Sequence, residues 1–165
     1  LIFIRVRGIR AWRVSPLDYI SAMAQALWMR LREEKWENYA VAESSADRFP
    51  KVLQDLACRK RGRSMKASHD VWRMLCKDGV HSAAVVVVPY LVETLEISIS
   101  DVQIEICDTL KSCAVSASGV SEEWGETLRD VLLSQEKTLK HYSKKAKGDA
   151  AIAYAAALEA IAALS

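Results

Sequence analysis

Proline and glycine are scarce, at three and six in 165 residues. So little punctuation argues against a many-turned β fold and for long helices. Long hydrophobic runs are missing as well. The opening stretch lacks the run of about 7–15 apolar residues that a secretory signal needs, and no small-residue cleavage site follows it. Nothing later approaches the roughly 18 apolar residues of a membrane span. An excess of one charge is also absent: the net charge of +2 gives no global attraction to nucleic acid or to a membrane. The four cysteines, Cys58, Cys76, Cys107 and Cys113, contain no CxxC pair and no spacing typical of zinc sites. Three of them fall within apolar helical patterns, where a thiol behaves as a small hydrophobe. They are expected to be reduced core thiols, which points to the cytoplasm.

The letters of catalysis are equally thin. His69, His81 and His141 lie far apart, and no HExxH, GxSxG, phosphate loop or nucleotide fingerprint occurs. Ser68, His69 and Asp70 spell a triad, but consecutive residues on a helix point about 100° apart and cannot assemble one. Glu122, Glu123 and Glu126 are explained as an acidic first turn that complements a helix dipole. No enzyme, cofactor or metal site is expected.

What is present is a soluble globular composition, 51% hydrophobic and 27% charged, in a chain long enough for a real core. Residues 1–14 read as a basic arm carrying Arg5, Arg7, Arg10 and Arg13, or as an extension upstream of a start at Met23 or Met29. A single all-helical domain is expected over residues 15–165. Ser15, Pro16 and Asp18 open a helix with the stripe Ile20, Met23, Leu27 and Leu31. A turn around Trp36 follows, with the indole as a lid on the core. The next unit, residues 45–78, starts at Ser45 or Asp47 and buries Phe49, Val52, Leu53 and Leu56. A basic loop, Arg59-Lys60-Arg61-Gly62-Arg63, ends that helix, where cations suit the dipole. A second helix begins near Ser64 and buries Ala67, Val71, Met74 and Leu75, with Trp72 beside the stripe and Gly79 as its stop.

Residues 80–117 repeat the plan. His81 or Ser82 opens a helix with Ala84, Val88, Leu91, Val92 and Leu95, and its partner carries Val102, Ile106, Leu110 and Cys113. Val85 to Val88 alone would suggest a strand, but no turn separates them from the apolar run beyond Pro89, so a helix is expected. Residues 121–165 hold a last pair, with Asp149 as N-cap of an alanine-rich closing helix. That helix is apolar almost all round and so expects cover from a further repeat or a partner. Pro89, Val92 and Leu95 each fall 39 positions after Pro50, Leu53 and Leu56; Ile106 and Leu110 fall 35 after Val71 and Leu75. Two helices per 35–39 residues is the mark of an α-solenoid, here about three antiparallel pairs after an N-terminal helix.

Val71-Trp72, Gly79, Ala83-Ala84 and Val88-Pro89-Tyr90-Leu91 resemble bacterial HEAT-repeat proteins, and Trp36 with Arg48-Phe49-Pro50 is similar to their preceding repeat. The resemblance covers residues 36–114. It implies a protein-interaction scaffold, some relatives being immunity or accessory proteins beside bacterial toxins. One departure stands out: Gln103 occupies a place where the family would have the Arg of its inter-repeat ladder. Helix faces nominate Ser68, Asp101, Glu105 and Asp108 as partner contacts. The competing reading is a nucleic-acid-binding helical repeat. It would use two basic clusters on phosphates: Arg59, Lys60, Arg61, Arg63 and Lys66, then Lys137, Lys140, Lys144, Lys145 and Lys147. Those clusters lack interleaved aromatics for base stacking.

Overall fold

The computed structural model describes residues 29–165. The basic arm of residues 1–14 and most of the helix expected from Ser15 lie outside the described residues. Residues 29–33 are helical, and Leu31 is fully buried. The chain divides after Glu34, and Lys35–Ser165 forms a compact unit of its own.

Every regular element among the described residues is helical. After 3-10 turns at Trp36–Asn38 and Ala46–Arg48 come α1 (Phe49–Leu56), α2 (Arg61–Cys76), α3 (Ala84–Leu95), α4 (Ser100–Ala117), α5 (Glu123–Ser143) and α6 (Asp149–Ala162). The expected stripes are the buried ones. Ala67, Val71, Met74 and Leu75 of α2 and Val102, Ile106, Leu110 and Cys113 of α4 are all at most 3% exposed. Val85 to Val88 are helical, as the length of the run requires. Pro89 sits inside α3, where its missing N–H removes one backbone donor without ending the helix.

Consecutive helices pack on one another, α1 on α2, α3 on α4, α4 on α5 and α5 on α6. Alternate helices also meet: α2 packs on α4, α4 on α6, and α3 on α5. α4 therefore has four helical neighbours, and its buried arc is correspondingly wide, adding Cys107, Thr109, Ala114 and Ala117 to the expected stripe. Small residues on that arc let α6 approach closely with its own Ala150, Ala153 and Ala157. Trp36 is buried under the first pair, its ring 5.3 Å from Phe49 and 6.4 Å from Tyr39.

Helix ends depart from the sequence expectation in four places, one being α3, which begins at Ala84 with Ala83 as N-cap rather than at His81 or Ser82. Ser45 does accept from the Asp47 amide, but it caps the 3-10 turn, and α1 begins only at Phe49. α2 starts at Arg61 rather than near Ser64, so Arg61 and Arg63 stand in its first turn instead of ending α1. Cations there oppose the dipole. Carboxylates offset them: Arg61 Nε donates to Asp101 at 2.7 Å, and Arg63 lies 3.9 Å from Asp55. At α6 the N-cap is Gly148, with φ of +56°, and Asp149 is the first helical residue. Gly79, at φ +118°, follows Asp78 in the turn that closes α2.

The junctions are held by side chains that reach back. Gln103 Nε2 donates to the carbonyls of Leu95 and Ser98 at 3.0 and 3.2 Å, and Arg129 Nη1 to those of Ala117 and Val120 at 2.8 and 3.2 Å. Each ties the carbonyl of the preceding helix's last residue, and one in the turn after it, to the next helix. Gln103 thus serves its own junction. Inside, buried hydroxyls bond their own helices: Thr94 to Tyr90, Thr109 to Glu105, Ser64 to Arg61, and Ser68 to Met65.

Candidate functional site

The outward side of the α2–α4 layer brings together residues far apart in the chain. Three contacts cross it in order along the helices. Arg61 pairs with Asp101; His69 Nε2 lies 3.5 Å from Glu105; and the Trp72 indole N–H donates to Ser112 Oγ at 3.4 Å. Positions 36 to 40 apart in sequence meet because α2 and α4 pack side by side, and one helical face repeats every three to four residues. Asp108 lies on the same helix and is exposed.

These contacts are weak ones. The side chains of Arg61 and Asp101 remain 71% and 44% exposed, and those of His69 and Glu105 62% and 33%. Exposed ion pairs of this kind contribute about 0.2–1 kcal/mol each. Trp72 is 41% exposed, so its indole is only partly covered by the neighbouring helix. Val115 on α4 and Ile152 on α6 are more exposed still, at 62% and 69%.

Of the four nominated contacts, Asp101, Glu105 and Asp108 lie on this layer with solvent access. Ser68 does not: it is 2% exposed, and its hydroxyl donates to the Met65 carbonyl at 2.7 Å. It occupies the same arc as Ser64, Ala67 and Val71, and packing has closed over it. Trp72, which the sequence placed between units, is the residue that the polar nominations overlooked. Its position one step from the Val71 stripe was the available signal.

The first basic cluster is split. Arg61 turns to α4, while Arg63 and Lys66 line an open cavity of about 240 Å³ with Arg48, Lys51, Asp55 and Asp70. Asp55 also accepts Lys51 at 2.8 Å, so the groove is of mixed charge. Arg59 and Lys60 are exposed in the turn before α2. In the second cluster, Lys140 pairs with Glu136 at 2.6 Å, whereas Lys137 and Lys144 are exposed. Lys145 and Lys147 line a cavity of about 330 Å³ that also presents Glu96, Ser100, Gln103 and Tyr142. The Tyr142 hydroxyl donates to Glu96 at 3.4 Å.

A strap over residues 40–43 fixes the far end of α2. The Ala42 amide donates to the Met74 carbonyl at 2.9 Å, and Ser82 Oγ accepts from the Ala40 amide at 2.9 Å. Glu43 accepts from Lys77, and from Arg73 at 2.8 Å. The hydrogen bond from Lys77, reinforced by that from Arg73, lowers the Glu43 carboxyl below its ordinary value of 4.5. Burial acts on the thiols in the other direction. Cys107 is pushed up to about 12 by desolvation, with Asp108 adding to it. Cys113 is raised well above its ordinary value by its contact with Cys76 and by burial.

Among the described residues no group of three or more His, Cys, Asp or Glu side chains is placed to hold a metal ion. Among them, too, no helix is long and apolar enough to cross a membrane. No family model, no curated protein and no solved structure matches the chain.

Proposed function

We propose that Lys35–Ser165 is a HEAT-like α-solenoid that binds another protein through the outward side of α2 and α4 and catalyses no reaction itself. The repeat arithmetic supports the solenoid, as does the way alternate helices pack on one another as well as on their pair partners. The observation that carries the binding reading is Trp72. A part-covered indole is an interface anchor in waiting, because tryptophan dominates binding hot spots when its remaining surface is buried.

Around it stand Arg61, His69, Asp101 and Glu105, whose mutual contacts are cheap to exchange for a partner's groups. The partner this arrangement suits presents an apolar side chain to Trp72 and basic groups toward Asp101, Glu105 and Asp108. Burying the exposed 41% of the indole, roughly 100 Å², is worth about 2.5 kcal/mol at ~25 cal/mol per Å². Trp72→Ala should therefore weaken binding by about one to two orders of magnitude.

The test is affinity capture from the lysate of the source organism, using the wild-type chain and Trp72→Ala, each with and without nuclease. One stoichiometric protein that resists nuclease and is lost with Trp72→Ala supports the reading. Equal capture by both chains removes this face from it. Recovery abolished by nuclease would turn the reading to phosphate contacts by the two basic clusters.

A further inference from the structure

Cys76 and Cys113 are the one pair of thiols that meet among the described residues. Cys76 is the last residue of α2 and is half-buried, whereas Cys113 is fully enclosed in α4. Their Sγ atoms are 3.5 Å apart although the residues are 37 positions apart in the chain. We propose that the two form a reversible redox pair: a hydroperoxide oxidises Cys76, and Cys113 resolves it to an intramolecular disulfide joining α2 to α4.

The distance makes the bond accessible. Two sulfurs in contact must approach by roughly 1.5 Å to reach the ~2.05 Å of a disulfide, and Cys76, the last residue of α2, stands where the helix gives way to a turn. Burial assigns the roles. Cys76, the less buried of the two, attacks one peroxide oxygen with its sulfur as the thiolate. The O–O bond breaks, the second oxygen leaves with a proton as water, and Cys76 becomes a sulfenic acid, two electrons poorer. The Cys113 sulfur then attacks the Cys76 sulfur. The S–O bond breaks, and the hydroxyl leaves as water with the proton that Cys113 gives up. Two thiols and one hydrogen peroxide thus yield one disulfide and two waters.

Position keeps the other cysteines out, since neither meets a second thiol among the described residues. Cys107 is enclosed on a different arc of α4, and the Cys58 thiol lies in the α1–α2 turn near the Lys60 carbonyl at 3.7 Å. The inference does not depend on what the α2–α4 face binds.

The experiment treats the purified full chain with hydrogen peroxide, alkylates remaining thiols under denaturing conditions and maps the peptides by mass spectrometry. The expected product is a monomer lighter by two hydrogens, with a linked Cys76–Cys113 peptide pair, reversed by dithiothreitol and melting several degrees higher than the reduced chain. In Cys113→Ser, Cys76 should stop at a sulfenic acid that dimedone traps. Oxidation of Cys76 to sulfinic acid without a link overturns the proposal in the wild-type chain alone, as does a disulfide to Cys58 or between two chains.

Discussion

Two glycines in the helical unit should respond to alanine with opposite signs. Gly125 stands in the first turn of α5 and is buried; a Cβ there would meet Val120 Cγ1 at 2.5 Å, Val120 Cβ at 2.8 Å and the Val120 carbonyl oxygen at 3.0 Å. Two of those atoms are fixed to the backbone, so rotating the valine does not relieve the clash. The whole α4–α5 connection must shift, and that connection is held by Arg129 on the Ala117 and Val120 carbonyls. Overpacking of this kind costs about 1–3 kcal/mol. Against it stands the helix propensity of alanine, worth about 0.8–1 kcal/mol over glycine. With the clash at the upper end of its range, Gly125→Ala should lose about 2 kcal/mol, a fall in Tm of roughly 4–8 °C for a chain of this size.

Gly62, in the first turn of α2, has open space where its Cβ would be and no positive φ. Gly62→Ala should gain about 0.5 kcal/mol, the propensity effect being reduced at a helix start. Urea titrations followed by circular dichroism give both values. If Gly125→Ala were as stable as Gly62→Ala, the close packing of the α4–α5 junction on α5 would be wrong.

Arg129→Met keeps the stem and removes the donors to two carbonyls, so a loss of about 1–2 kcal/mol is expected by denaturant unfolding. Combined with Gly125→Ala it should fall short of additivity, because both act on one connection. The depressed Glu43 carboxyl contributes stability that is complete above its ordinary value of 4.5 and is lost as pH falls through the lower folded value. Glu43→Gln should therefore lower Tm near neutral pH and show less further decline into acid than the wild type, read from melting curves across pH 2–7. In the core, Leu91→Ala should cost about 2–5 kcal/mol, and a smaller loss would mean that α3 is looser than its zero exposure implies. Thr94→Val, which removes a hydroxyl bonded only within its own helix, should stay within about 1 kcal/mol on the same measurement.

Much of the helical plan was legible because apolar periodicity is a local property. The stripes of α2 and α4 follow from spacing alone, and the four valines of α3 are helical because the uninterrupted run is too long for a strand. The starts of helices were less legible. Arg61, Gly62 and Arg63 look like a helix end, since cations suit a C-terminus and glycine stops helices. Tertiary partners outweigh that preference: Asp101 lies 40 residues downstream, and no local rule announces it. Ser68 is polar and so suggests an outward face, although the arc of Ser64, Ala67, Val71 and Met74 includes its position and buries it. The crossings from Arg61 to Asp101, His69 to Glu105 and Trp72 to Ser112 needed the side-by-side placement of α2 and α4. That placement comes from packing rather than from spacing within either helix.

The buried hydroxyls have one more consequence. Thr94, Thr109, Ser64 and Ser68 each satisfy a carbonyl of their own helix, so none of these interior groups spends its hydrogen bond across a seam. Neighbouring helices are then kept in place by shape and contact area, an attraction that fades within about an ångström of separation. Such interior seams are short-ranged, and directional contacts between helices, such as those from Arg61 to Asp101 and from Trp72 to Ser112, lie at the exposed rim. Under mechanical load the seams would part in small slips, each leaving its helices internally whole and ready to close again.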